Sequence, residues 1–299
     1  MRAVWSFWSK PFNAYYGQIW CKPLHHLLAW GLSLRTAGRH YPETVLVTDL
    51  PGKKLLVDQL GLRFSSVSTE LEQLNHVDPG WWSLGKLLAY SLQDRPFVHL
   101  DSDVFLWKRL PRHLLEAPVF TQYPESIRPN DSTYRPQDIE WAFAEERLKL
   151  PEEWEWVRSN RNGLLAECCG ILGGWNVEFL THYARTALDM VVREENAPAW
   201  SRLRDKQGYN VVLEQFFLSA CAEFHASQRA SPYAGVRIAH LFPAWNAAFT
   251  PIQAAQAGFT HLIAGAKSHP AVGRRLEERV SRDDPGYFRR CQSVAGSLA

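Results

Sequence analysis

Cysteine is scarce in this chain: five in 299 residues (Cys21, Cys168, Cys169, Cys221 and Cys291), with no Cys-x-x-Cys pair. An odd number without that spacing argues against a disulfide framework or a cysteine-based zinc site, and for reduced thiols in the cytoplasm. Long apolar runs are also missing. No stretch approaches the ~20 uninterrupted apolar residues that cross a bilayer. The apolar part of residues 1–11 is too short for a signal-peptide core. The expected location is cytoplasmic, with at most a peripheral association at the inner membrane face. Neither sign of charge dominates: 33 basic residues against 31 acidic ones leave a net +2, which gives no case for bulk binding to nucleic acid. Internal repeats, low-complexity tracts and a convincing linker are absent, so residues 1–299 are expected to form one domain.

What remains is an ordinary globular composition, 46% hydrophobic and 21% charged, with an unusual thirteen tryptophans. Large aromatics fill cores more often than they stack on sugar rings, and most of the thirteen are assigned to packing. Strand and helix patterns alternate through the first half. Strands are expected at residues 3–8, 44–48, 64–67 and 97–100, with helices at 24–36, 53–60 and 84–93 between them. A turn at 111–115 and a strand at 119–122 follow, then a polar stretch, 123–136. Two acidic, Trp-rich helical segments come next, at 139–148 and 151–157. A Gly-bounded strand at 168–174, helices at 179–192 and 210–224, a strand at 260–263 and a helix at 271–282 complete the pattern. Alternation of this kind predicts an α/β fold with a mostly parallel sheet and ligands at the carboxyl ends of its strands.

The run Phe97-Val98-His99-Leu100-Asp101-Ser102-Asp103 is the most informative segment. It reads as a buried strand ending in two aspartates spaced i, i+2, and such carboxylates can converge on one divalent cation. A hard ion such as Mn²⁺ or Mg²⁺ prefers oxygen ligands and keeps positions open for a substrate's phosphates. The plainer alternative is a strand-to-loop turn in which the aspartates bond nearby amides. Far downstream, His261-Leu262-Ile263-Ala264-Gly265-Ala266-Lys267 supplies an imidazole, a glycine that lets backbone approach a ligand, and a lysine for phosphate.

In this order, the motifs resemble the metal-dependent GT-A glycosyltransferases, in particular the glycogenin and bacterial lipooligosaccharide galactosyltransferase group or a related bacterial branch. The resemblance implies a GT-A-like domain with residues 1–122 as its nucleotide-binding half and 123–299 as its acceptor half. It implies a hexosyltransferase that moves a sugar from a nucleotide-diphosphate donor, a UDP-sugar, to an acceptor hydroxyl with retention. The acceptor would be a glycan, a lipid-linked intermediate, a peptide or a small molecule.

Residue by residue, Asp101, Asp103 and His261 match the metal ligands of that group and Lys267 its phosphate lysine. Lys86 matches a helix lysine on the sugar nucleotide. Gly173 and Gly174 correspond to the strand under the donor sugar, whose usual Asn is replaced here by Cys168 or Cys169. Glu214 and Gln215 stand where the group carries Asp-Gln near the anomeric carbon, and so are the implied catalytic pair. Asn13 and Tyr15 (or Tyr16) fall where a loop grips uracil, and donor contacts are further implied for Ser6, Ser102 and Gly265. Two departures stand out: the glycine expected three residues after the His is Ala264, with Gly265 next to it, and Ser268-His269 replace the usual Pro-Trp.

Structural roles compete with several of these. Lys86 could be a solvated helix lysine, Glu214-Gln215 a polar helix face, and Gly173-Gly174 a tight bend. A haloacid-dehalogenase-type phosphatase also uses strand-Asp-x-Asp, yet it wants Thr or Val where Phe105 stands. A nucleotidyltransferase would need a Gly-rich basic loop that residues 5–18 lack. A non-catalytic sugar- or nucleotide-binding module is the remaining alternative. The Trp-rich block, with Trp141 and Trp154, is the expected acceptor surface.

Overall fold

A computed structural model describes residues 1–17 and 19–298, without the side chains of residues 16 and 298. Tyr16, the alternative to Tyr15, therefore lies outside the described side chains. The strands are β1 (Arg2–Phe7), β2 (Thr44–Thr48), β3 (Ser66–Ser68), β4 (Phe97–Leu100), β5 (Val104–Leu106), β6 (Val119–Thr121), β7 (Pro124–Ile127), β8 (Leu164–Glu167), β9 (Ile171–Gly174), β10 (Ile238–His240) and β11 (Phe259–His261). Seven form one sheet in the order β10-β6-β9-β4-β1-β2-β3. The expected mostly parallel α/β sheet is present, with one exception: β9 runs antiparallel to both β4 and β6. The sheet draws strands from both sides of residue 122.

The longer helices are α1 (Pro23–Gly38), α2 (Ser83–Ser91), α3 (Pro136–Glu145), α4 (Glu152–Asn160), α5 (Val177–Val192), α6 (Phe217–Ser227), α7 (Pro270–Asp283) and α8 (Pro285–Leu298). Alternate strand residues point to opposite faces, so the strands feed two cores. Ala3, Trp5, Val98 and Leu100 pack with Leu27, Trp30 and Leu276 from α1 and α7 on one side. Val4 and Phe97 pack with Leu84, Tyr90 and Phe179 from α2 and α5 on the other. Helices on both faces explain why β2 is buried at every position, as its TVLVT sequence requires. Among the described residues no helix is long and apolar enough to cross a membrane.

Several expectations needed correction. The helix expected at 53–60 is a short helical turn, Leu50–Lys53, continued by a π-helical segment, Lys54–Gln59. A second π-helical segment, Val212–Phe216, precedes α6. The polar stretch 123–136 contains β7, which pairs with β8, and the strand expected at 168–174 begins only at Ile171. Strands of three or four residues, such as β5, β7, β8 and β10, are too short to display a period, which hid them. In the Trp-rich block, Trp154 is 0% exposed and Trp141 is 50% exposed. Trp154 stands edge-on to Phe216, with ring centroids 4.8 Å apart, so it fills the core and offers no acceptor surface.

Candidate metal and donor site at the sheet edge

At the end of β4 the chain turns sharply. The Asp101 amide donates to the Gly170 carbonyl at 3.0 Å, and the Val104 amide donates to the Asp101 carbonyl at 3.0 Å. The chain returns as β5, which pairs antiparallel with β11 so that Val104 lies opposite His261. The Leu262 amide donates to the Asp103 carbonyl at 3.0 Å. This two-stranded ribbon places the distant imidazole against both carboxylates.

His261 Nδ1 lies 2.8 Å from Gln122 Oε1, a carbonyl oxygen that can only accept. The ring proton therefore sits on Nδ1, and the Nε2 lone pair faces the acids. Nε2 is 3.6 Å from Asp103 Oδ1 and 3.9 Å from Asp101 Oδ2. One ligand atom from each of the three residues lies within 4.8 Å of the others. Burial pushes the His261 pKa down, against the opposing pull of Asp103 and Asp101, so the imidazole is kept neutral. Two carboxylate oxygens and an oriented neutral imidazole fit a divalent ion between hard and borderline, such as Mn²⁺.

Gly170 makes this geometry possible. A Cβ there would lie 2.4 Å from His261 Cε1 and Nδ1 and from Gln122 Oε1. Neither Gly170 nor Gln122 was singled out from the sequence. The only signal for Gly170 was its place in Cys168-Cys169-Gly170, and Gln122 had none.

Two lysines flank the carboxylates. Lys267 Nζ is 2.8 Å from Asp103 Oδ2 and stands over the Trp20 ring at 5.8 Å. Lys86 Nζ is 2.9 Å from Asp101 Oδ1 and 2.6 Å from Glu214 Oε1, and it donates to the Cys169 carbonyl at 3.2 Å. Burial works against charge on Lys86, but Asp101 and Glu214 outweigh it and hold the ammonium above its ordinary pKa. Burial likewise opposes ionisation of Asp103, yet Lys267 and His261 keep its carboxyl below the usual range. For Glu214 the balance tips the other way: burial raises its pKa despite Lys86.

The remaining expected residues divide into those at this edge and those away from it. Ser6 is at the end of β1, bonded to His99 Nε2 at 3.0 Å, and Asn13 and Tyr15 are exposed just beyond that strand. Ser102 is half-buried on the turn between the two aspartates. Ala264 has a φ of +47°, the left-handed conformation that glycine adopts without cost, whereas Gly265 does not.

Gly173 and Gly174 require a correction. Because β9 is antiparallel, they lie opposite Val98 and Phe97 at the start of β4, on the far edge of the sheet. They serve close strand packing there: a Cβ on Gly173 would be 2.1 Å from the Phe97 carbonyl.

Glu214 and Gln215 require another. Glu214 is 0% exposed, sits behind Lys86 and accepts from the Tyr90 hydroxyl at 3.0 Å, so it touches nothing that enters the site. Gln215 turns instead toward Tyr134, whose hydroxyl also bonds Glu125.

The fold and this edge define an α/β protein with a candidate divalent-metal site flanked by lysines. The chain belongs to a family of unknown function, DUF6734, whose profile matches residues 1–294. No curated protein matches the sequence. Among solved structures, it is similar to a galactosyltransferase, LgtC, in complex with donor and acceptor sugar analogues: TM-score 0.37, 11% identity, 94% of this chain and 96% of that one. It is also similar to WbbM, a bifunctional glycosyltransferase: TM-score 0.33, 13% identity, 72% of this chain. The match spans only 37% of the WbbM chain. Both likenesses are too distant to assign chemistry here.

Proposed function

We propose that the chain is a metal-dependent glycosyltransferase that moves a sugar from a UDP-sugar to an acceptor hydroxyl with retention. The observation that supports this most is the β5–β11 ribbon, which brings His261 to Asp101 and Asp103 with Gln122 orienting the ring. Asp101, Asp103 and His261 would hold Mn²⁺. When bound, the ion would neutralise charge developing on the departing diphosphate.

Lys267 adds a point charge for the same phosphates from the other side of Asp103. Lys86 orients Asp101, and Glu214 in turn anchors Lys86, so Glu214 is a positioning residue. Its burial favours retention: no carboxylate at that position is open to act as a base, and the leaving phosphate can take the acceptor's proton instead. Ser6, Asn13 and Tyr15, at or just beyond the end of β1, are the proposed donor contacts, with Ser102 and the Ala264–Lys267 loop.

The test is release of free UDP from a panel of UDP-sugars, with Mn²⁺ or with chelator, by wild type and Asp103→Asn. The expected result is metal-dependent release from one donor, lowered at least about 100-fold in the variant. Release that ignores both chelator and variant would contradict the proposal.

A further inference from the structure

A second cluster of ligand-type side chains lies outside this edge. Glu153, at the start of α4, receives two imidazoles from neighbouring helices. His182 Nε2 of α5 is 2.7 Å from Glu153 Oε1, and His225 Nε2 of α6 is 3.5 Å from the same oxygen. One ligand atom from each of the three lies within 4.8 Å of the others. The groove beside His182, lined also by Pro96, Trp175, Arg185 and Tyr233, opens at the edge where β4 starts and β9 ends.

His225 is what sets this cluster apart from an ordinary His–Glu hydrogen bond. It is 7% exposed, yet its Nε2 has no hydrogen-bond partner, and 3.5 Å is too long for one. Its Nδ1 is 2.8 Å from Ser231 Oγ, the acceptor for the Tyr233 amide at 3.0 Å. Ser231 Oγ accepts from that amide and can also accept from the ring proton of Nδ1. In that tautomer the buried Nε2 lone pair faces a carboxylate oxygen, and a cation between them would relieve the repulsion. The rings of Phe224, Tyr233 and Phe179 stand edge-on to His225 at 5.0, 5.1 and 6.1 Å and hold its plane.

We propose that Glu153, His182 and His225 form a second metal site, which takes Zn²⁺ through Glu153 Oε1 and the two Nε2 atoms. Two imidazoles and one carboxylate are a ligand set that Zn²⁺ accepts, with bonds of about 2.0–2.2 Å. Ligand atoms around a tetrahedral ion of that size stand roughly 3.3 Å apart, between the two separations seen here. His182, whose side chain is about a third exposed, lines the groove, from which water could supply a fourth ligand. Coordination through Nε2 replaces the proton that His182 shares with Glu153, and a neutral imidazole then carries its proton on Nδ1. Ser231 is the outer partner that orients His225. The ion would tie α4, α5 and α6 together, independently of the reading proposed for the Asp101 edge.

The test uses the full chain carrying Asp101→Asn and Asp103→Asn, to silence the first site. Calorimetric Zn²⁺ titration should give one ion per chain, and adding His182→Gln and His225→Gln should abolish it while circular dichroism stays native. Ser231→Ala, which keeps all three ligands, should weaken Zn²⁺ about tenfold. Zn²⁺ should raise the thermal midpoint of the first protein and leave that of the His variant unmoved. A folded Asp variant that binds no Zn²⁺, or a His variant that keeps full affinity, would overturn the proposal. Should the Asp variant fail to fold, the difference in bound ions decides: His182→Gln/His225→Gln should hold one Zn²⁺ fewer than wild type, and equal counts would overturn the proposal.

Discussion

Among the described residues, two groups of three histidine and carboxylate side chains lie close enough to share a metal ion, and they differ in what surrounds them. At the sheet edge, Asp101, Asp103 and His261 are flanked by Lys86 and Lys267, each within 2.9 Å of a carboxylate oxygen. Around His225 of the second cluster, the neighbours are aromatic rings and a serine, and the nearest cation the groove offers is Arg185 beside His182 rather than one paired with Glu153. Cations beside a metal site suit an anionic ligand that must arrive and leave, whereas an aromatic wall suits an ion that stays. The first cluster also lies on a turn between short strands, the second between long helices. On the two proposals, the same residue types would serve an exchangeable site in one setting and a fastening in the other.

The lysines are the sharpest point of that contrast. Lys86→Met strips Glu214 of its one ion-pair partner among the described residues and leaves a carboxyl that is 0% exposed. Loss of one member of a buried pair costs about 3–5 kcal/mol, which denaturant titration would read. Adding Glu214→Gln should recover part of this loss, since the stranded charge is then gone.

A similar loss tests the fastening side. Trp154→Ala empties a fully buried site on the helix that carries Glu153 and should cost about 3–5 kcal/mol. Trp141→Ala, at a half-exposed position, should stay within about 0.5 kcal/mol of wild type. Equal losses in the two variants would contradict the assignment of Trp154 to the core.

Gly170→Ala should act on one cluster alone. The added methyl would displace His261 and Gln122, weakening Mn²⁺ at the Asp101 edge about 10–100-fold without touching Zn²⁺ at Glu153. The smallest effect concerns the loop between His261 and Lys267. Ala264→Gly relieves a left-handed alanine and should stabilise by roughly 1 kcal/mol. Gly265→Ala, with open space around its Cβ, should be close to neutral.

The contrast extends to what the sequence reveals. Asp101, Asp103, His261 and Lys267 were legible because i, i+2 spacing on a strand and a compact His-to-Lys run are local patterns. The direction of β9 is not local, and that alone sent Gly173 and Gly174 to the wrong edge while hiding Gly170. Glu214 was legible as a polar residue on a helix, but its burial behind Lys86 depends on contacts made by two remote helices. Residues 153, 182 and 225 have no spacing that suggests a site; three separate helices bring them together. The parallel sheet was readable from alternating patterns, whereas three-residue strands such as β5, which builds the site, were too short to show a period.

The most direct test of the exchangeable site is calorimetric titration of UDP into the protein with Mn²⁺ and then with chelator. The comparison would cover wild type, Asp103→Asn and His182→Gln/His225→Gln. The account predicts that UDP binds only with Mn²⁺, that Asp103→Asn abolishes binding, and that the double His variant binds as wild type does. UDP binding that survives chelator and Asp103→Asn, or no binding by wild type with Mn²⁺, would contradict it.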